Sequence, residues 1–104
     1  MASIKSIPEV LKLSITSEQV RAARALLRWE QRDLAEASGV SLPSIKRLET
    51  QPGVLAAQER TIVELRKALE KAGVEFIAEN GGGPGVRLRK PPLPDQTKKS
   101  RQKS

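Results

Sequence analysis

Two short apolar-striped segments, hinged on a glycine, set the narrowest limit on how this chain folds. They lie within Gln31 to Thr50, QRDLAEASGVSLPSIKRLET. Leu34, Ala35 and Ala37 give the first segment an apolar side, and Ile45 and Leu48 give the second one at helical spacing. Gly39 stands between them, where a chain leaving a helix takes a left-handed residue that glycine adopts without a Cβ penalty. Val40 follows and can plug the inner angle of the turn. Ser41 is placed to cap the second helix. Ala35 is small where two helices crossing near a right angle need close approach. The pattern predicts two short helices joined by a tight turn, a helix-turn-helix.

The flanking sequence supplies the rest of a small helical unit. Thr16 and Gln19 make a capping box, with Ile15 and Val20 placed as a hydrophobic staple. Val20, Ala23 and Leu27 form one stripe with Leu26 beside it, while Arg21, Arg24 and Arg28 fall on other faces. Trp29 closes this first helix, and a lone Trp at a helix junction reads as core rather than as a base-stacking platform. After Thr50, Gln51-Pro52-Gly53 breaks the chain. Val54 to Arg60 reads as a loop or a short helical turn. Thr61 and Glu64 match a second capping box. Ile62, Leu65, Leu69 and Ala72 then repeat at helical spacing up to Gly73, which provides the stop.

Beyond Gly73 the period changes. Val74, Phe76 and Ala78 alternate with Glu75, Ile77 and Glu79, and Val86 and Leu88 alternate with Arg87 and Arg89. The Gly-rich stretch from Asn80 to Gly85 separates the two runs, which predicts a hairpin with Glu75 and Glu79 opposing Arg87 and Arg89. A hairpin alone is marginal, so it must pack on its own helices or on a second subunit. The expected organisation is therefore an N-terminal arm over 1–15, a helical domain over 16–73, a hairpin over 74–90 and a basic tail over 91–104. In the arm, Leu11, Leu13 and Ile15 alternate with Lys12 and Ser14, and Pro8 argues against a long helix; an extended, partly ordered arm is expected. The Pro, Lys, Gln and Ser content of the tail predicts disorder.

Composition removes several function classes. The 104 residues include no Cys and no His, which takes away thiolate metal sites, the commonest general base and the commonest metal ligand. Asp33 with Glu36, and Glu75 with Glu79, read as solvated charge rather than as catalytic carboxylates. Gly81, Gly82, Gly83 and Gly85 lead into a strand rather than into Gly-Lys-Ser/Thr and a helix, so they read as a loop and not as a phosphate cradle. The expectation is a protein that is not an enzyme and needs no cofactor or metal. No run reaches the length of a membrane span and no long apolar leader is present, so a cytoplasmic, nucleoid-associated protein without a membrane partner is expected. The net charge of +7 favours polyanionic partners, and much of the excess lies outside residues 17–73.

Gln-x-x-Leu-Ala-x-x-x-Gly-Val-Ser-x-x-x-Ile-x-x-Leu-Glu, from Gln31 to Glu49, resembles the signature of the phage repressor/Cro (XRE) family; a looser likeness runs from Thr16 to Gly73. The resemblance implies a mainly α, lambda-repressor-like helix-turn-helix bundle, here with a short C-terminal β-hairpin added. It also implies a DNA-binding protein that works as a homodimer on paired half-sites. Two positions depart from the family pattern. Glu30 stands where a Ser or Thr cap is usual, and Pro43 lies early in the second helix. Pro43 is tolerable there, but it biases Leu42 away from helical geometry.

With Ile45 and Leu48 turned inward, Pro43, Lys46, Arg47 and Thr50 point outward and Ser44 flanks them. Lys46 and Arg47 can reach phosphates or guanine edges, Ser44 and Thr50 can donate to phosphate or base, and Leu42 or Pro43 can touch a thymine methyl. On charge alone Lys46 and Arg47 fit an ordinary solvated face; the motif shifts the reading to DNA contact. Gln31, by resemblance, takes the family's phosphate-binding position. The expected function is a sequence-specific double-stranded DNA-binding transcriptional regulator, a repressor acting by promoter occlusion. The alternative is an antitoxin-type interaction module that binds a toxin partner and its own operator.

Overall fold

Thr16 starts the first helix as its side chain dictates. Its hydroxyl accepts from the Gln19 N–H at 2.9 Å, and the Gln19 side chain accepts from the Thr16 N–H at 2.9 Å. Ile15 and Val20, the two staple positions, are both buried. The computed structural model describes residues 14–89, in which four helices precede a two-stranded antiparallel hairpin. The helices are α1 (Ser17–Leu27), α2 (Gln31–Ser38), α3 (Leu42–Glu49) and α4 (Glu59–Lys71); the strands are β1 (Val74–Ile77) and β2 (Gly85–Leu88). The chain is thus mainly α, with the expected hairpin at its end. Residues 1–13 of the expected arm, the last residue of the expected hairpin span and the whole expected tail, 91–104, lie outside the described residues.

One core holds the helices together. Val20 and Ala23 of α1, Leu34 of α2, Ile45 and Leu48 of α3, and Leu65 and Leu69 of α4 are all buried in it. Each fully buried Val, Leu or Ile contributes about 1.5–3 kcal/mol relative to exposure. Trp29, as its helix-junction position led one to expect, and Phe76 are half-buried and pack against this cluster. Leu26, beside the stripe, stays exposed.

The turn between α2 and α3 follows the sequence closely. Gly39 has φ +80° and its N–H donates to the Ala35 carbonyl at 2.9 Å, closing α2. Ser41 caps α3, its hydroxyl accepting from the Ser44 N–H at 3.3 Å. Leu42 is nevertheless helical, contrary to the bias that Pro43 imposes. Pro43 sits in the first turn, where the absent N–H forfeits no intrahelical bond. At α2, Glu30 occupies the cap position, and the Asp33 carboxylate accepts from its N–H at 2.8 Å. That reverse bond does part of the work a Ser or Thr hydroxyl would do.

The segment after α3 is fastened to the start of α1. Leu55 N–H donates to Ile15 O at 3.0 Å, Ser17 N–H donates to Gly53 O at 2.9 Å, and Thr16 and Val54 form a β-bridge. The Glu18 carboxylate accepts from the Gly53 N–H at 3.1 Å. Leu55 is buried, which anchors what the sequence suggested as a loop or helical turn. Helix α4 then begins at Glu59, with Gln58 as its cap residue and no side-chain cap bond. The expected Thr61/Glu64 capping box is therefore wrong. The Ile62 N–H already donates to Gln58 O at 3.2 Å, so Thr61 lies inside the first turn rather than before it.

The hairpin pairs Glu75 with Arg87 and Phe76 with Val86. The Arg87 guanidinium lies 3.0 Å from the Glu75 carboxylate. The hydrogen bonds from Arg87, then its charge, hold the Glu75 carboxyl below the usual carboxylate range. The second expected cross-strand pair, Glu79 with Arg89, does not form. Glu79 turns into the loop and accepts from the N–H groups of Gly81 (3.0 Å) and Gly83 (3.2 Å), while the Arg89 guanidinium donates to the Glu70 carbonyl. Of the two surfaces available to it, the hairpin packs on its own helices. Val74 is fully buried, and Phe76 and Val86 lie against the core. Arg66 of α4 stacks over the Phe76 ring, 5.1 Å from its centre. The apolar face that was open to a second subunit is thus partly covered within the chain, with Phe76 and Val86 half-buried and Leu88 50% exposed.

Candidate nucleic-acid interface

Helix α3 divides its residues between core and solvent with little overlap. Ile45 and Leu48 are 1% and 3% exposed and fix the inner side. Pro43, Lys46, Arg47 and Thr50 are all exposed, and Leu42 and Ser44 are half-buried at the border. This is the division that the helical period predicted. Among the described residues, neither Lys46 nor Arg47 takes part in a salt bridge. Both also sit in the last turn, where cations suit the helix dipole.

The hydroxyls of this face are engaged within the chain. Thr50 Oγ1 donates to the Arg47 carbonyl at 2.7 Å, at the C-terminal end of α3. Ser41 Oγ and Ser44 Oγ are 2.9 Å apart in a hydrogen bond at its start. Thr50 must rotate before it can donate to a phosphate or base, whereas Ser44 only accepts in its bond from Ser41 and keeps its own hydrogen to donate. Gln31 is half-buried, and its side-chain NH₂ donates to Glu49 Oε1 at 3.0 Å. The amide is thereby fixed at the start of α2, beside the end of α3. Arg32, the next residue, is exposed and adds a cation to the same helix start.

What orients α3 is an ion pair that the residue pattern did not single out. Glu49 is 7% exposed. Its two oxygens accept from Arg24 of α1, Nε at 2.8 Å and an Nη at 2.6 Å, in the bidentate geometry that favours arginine. The remaining Arg24 nitrogen donates to the Trp29 carbonyl at 3.0 Å. With Gln31 added, one carboxylate ties α1, α2 and α3 together. A signal for it was present: Glu49 follows Ile45 by one helical turn and so shares the inner stripe with Ile45 and Leu48. The partner, Arg24, could not be told from the neighbouring Arg21 and Arg28 by spacing alone.

This arrangement presents cations on a rigid helix. It can attract phosphates and offer hydrogen-bond donors to base edges. No helix among the described residues is long and apolar enough to cross a membrane. Compared with protein-family models and with curated proteins, the sequence matches none.

Proposed function

We propose that this chain is a sequence-specific double-stranded DNA-binding transcriptional regulator of the phage repressor/Cro type, acting as a homodimer that represses by occluding promoter sites. The observation that carries this reading is the outer face of α3: Lys46 and Arg47 are exposed without acidic partners among the described residues, on a helix locked from behind by Ile45, Leu48 and Glu49. A helix held this way can enter a major groove without first being ordered. Arg47 reads a guanine edge, Lys46 contacts phosphate, and Gln31 with the start of α2 meets the adjoining backbone.

Arg47→Ala and Lys46→Ala separate these roles, since neither side chain contributes to the core. Losing Arg47 should cost about 1–3 kcal/mol in binding and relax preference at one base pair. Losing Lys46 should weaken binding to all sequences and make the salt dependence shallower by about one unit. Affinity and salt slope measured on duplex DNA decide it. Unchanged binding by both variants would remove α3 as the recognition helix.

A further inference from the structure

The loop that closes the hairpin gathers three polar groups around the peptide bond between Asn80 and Gly81. Residues 79–82 are all exposed and lie outside the strand ladder. Glu79 Oε2 accepts from the Gly81 N–H at 3.0 Å and from the Gly83 N–H at 3.2 Å. The Asn80 side-chain carbonyl accepts from the Gly82 N–H at 3.3 Å. Neither the core nor the outer face of α3 uses this arrangement.

We propose that Asn80-Gly81 is a self-modifying site, at which the folded chain converts its own asparagine to aspartate and isoaspartate through a cyclic imide. The Gly81 backbone nitrogen attacks Asn80 Cγ and forms the ring bond. Glycine suits this position, because no side chain crowds the approaching nitrogen. The nitrogen must give up its proton, and Glu79 Oε2 already stands within hydrogen-bond reach as the base. The second bond, from Gly83, holds that carboxylate in place. The Asn80 carbonyl oxygen gains negative charge as the ring closes, and the Gly82 N–H faces it as an oxyanion donor. The bond from Cγ to Nδ2 then breaks, and the amide nitrogen leaves as ammonia with the proton that Glu79 took. Water opens the imide, and no other reactant enters. Opening at Cγ restores the ordinary backbone and leaves an aspartate. Opening at the backbone carbonyl routes the chain through the side chain and leaves an isoaspartate. Either product adds a negative charge beside Glu79 and lowers the net charge from +7 by one.

The full chain tests this directly, incubated at neutral pH and sampled over time. Hydroxylamine, which cleaves cyclic imides, should cut it between Asn80 and Gly81. Fragment mass spectra should show aspartate and isoaspartate accumulating at position 80. The folded chain should convert faster than the same chain held unfolded in urea, because only the folded loop positions Glu79 and the Gly82 N–H. Glu79→Gln keeps an oxygen that can accept from Gly81 and Gly83 but removes the base, and should slow conversion about tenfold. Absence of imide and products in the folded chain would overturn the proposal. Conversion no faster than in urea, or unaltered in Glu79→Gln, would overturn it equally.

Discussion

Glu49 is the residue on which the pose of α3 depends. It is buried, charged and bonded to Arg24 and Gln31, from two other helices. Replacing it with Ala strands the Arg24 guanidinium, 18% exposed, without its anion. The expected cost is about 3 kcal/mol, read as a fall of roughly 10 °C or more in the melting midpoint. An unchanged midpoint would mean the pair contributes nothing. Gly39 makes the complementary case, where the backbone rather than a side chain is constrained. At φ +80° a β-branched residue is strongly disfavoured, although a Cβ there would meet nothing within 4 Å. Gly39→Val should therefore lower the midpoint through backbone strain alone. Gly39→Asn, which tolerates the left-handed region better, should lower it less.

Among the elements, the hairpin is held by a side chain whose second role was invisible in the sequence. Gln19 is 5% exposed; its oxygen completes the α1 capping box and its nitrogen donates to Gly85 O at 2.9 Å and Ile77 O at 3.3 Å. Gln19→Ala should cost about 1–3 kcal/mol. Hydrogen exchange should then quicken in β1 and β2 while Leu34, Ile45 and Leu48 keep their protection; uniform loss across the molecule would deny the hairpin this separate anchor. What could be read from the sequence was local. The Thr16 cap, the Gly39 turn, the Ser41 cap and the Ile45/Leu48 stripe each depend on residues within one or two helical turns. The bonds from Gln19 to the hairpin and from Arg24 to Glu49 join positions far apart in the chain, and Arg21 and Arg28 on either side of Arg24 were equally eligible. Local pattern also misled: Thr61-x-x-Glu64 matches a capping box, but the turn closed by Gln58 and Ile62 starts α4 ahead of it. Likewise Glu79 alternated correctly for a strand, yet the loop N–H groups of Gly81 and Gly83 claimed it.

For the whole molecule, the division of labour is spatial. The hairpin and the start of α1 meet at one side, whereas α3 turns Pro43, Lys46, Arg47 and Thr50 to solvent. A single helix in a groove covers only a few base pairs, so high specificity calls for two copies on one site. Two-fold symmetry would set the two α3 helices one DNA turn apart, roughly 34 Å. The most direct test is selection of bound duplexes from a random DNA pool by the full chain, with Arg47→Ala/Lys46→Ala run in parallel. The expected result is enrichment of an inverted repeat whose half-site centres lie about 10 base pairs apart, absent or degraded in the variant. A pool that emerges without enriched sequence, or one enriched identically by the variant, would contradict DNA recognition by α3.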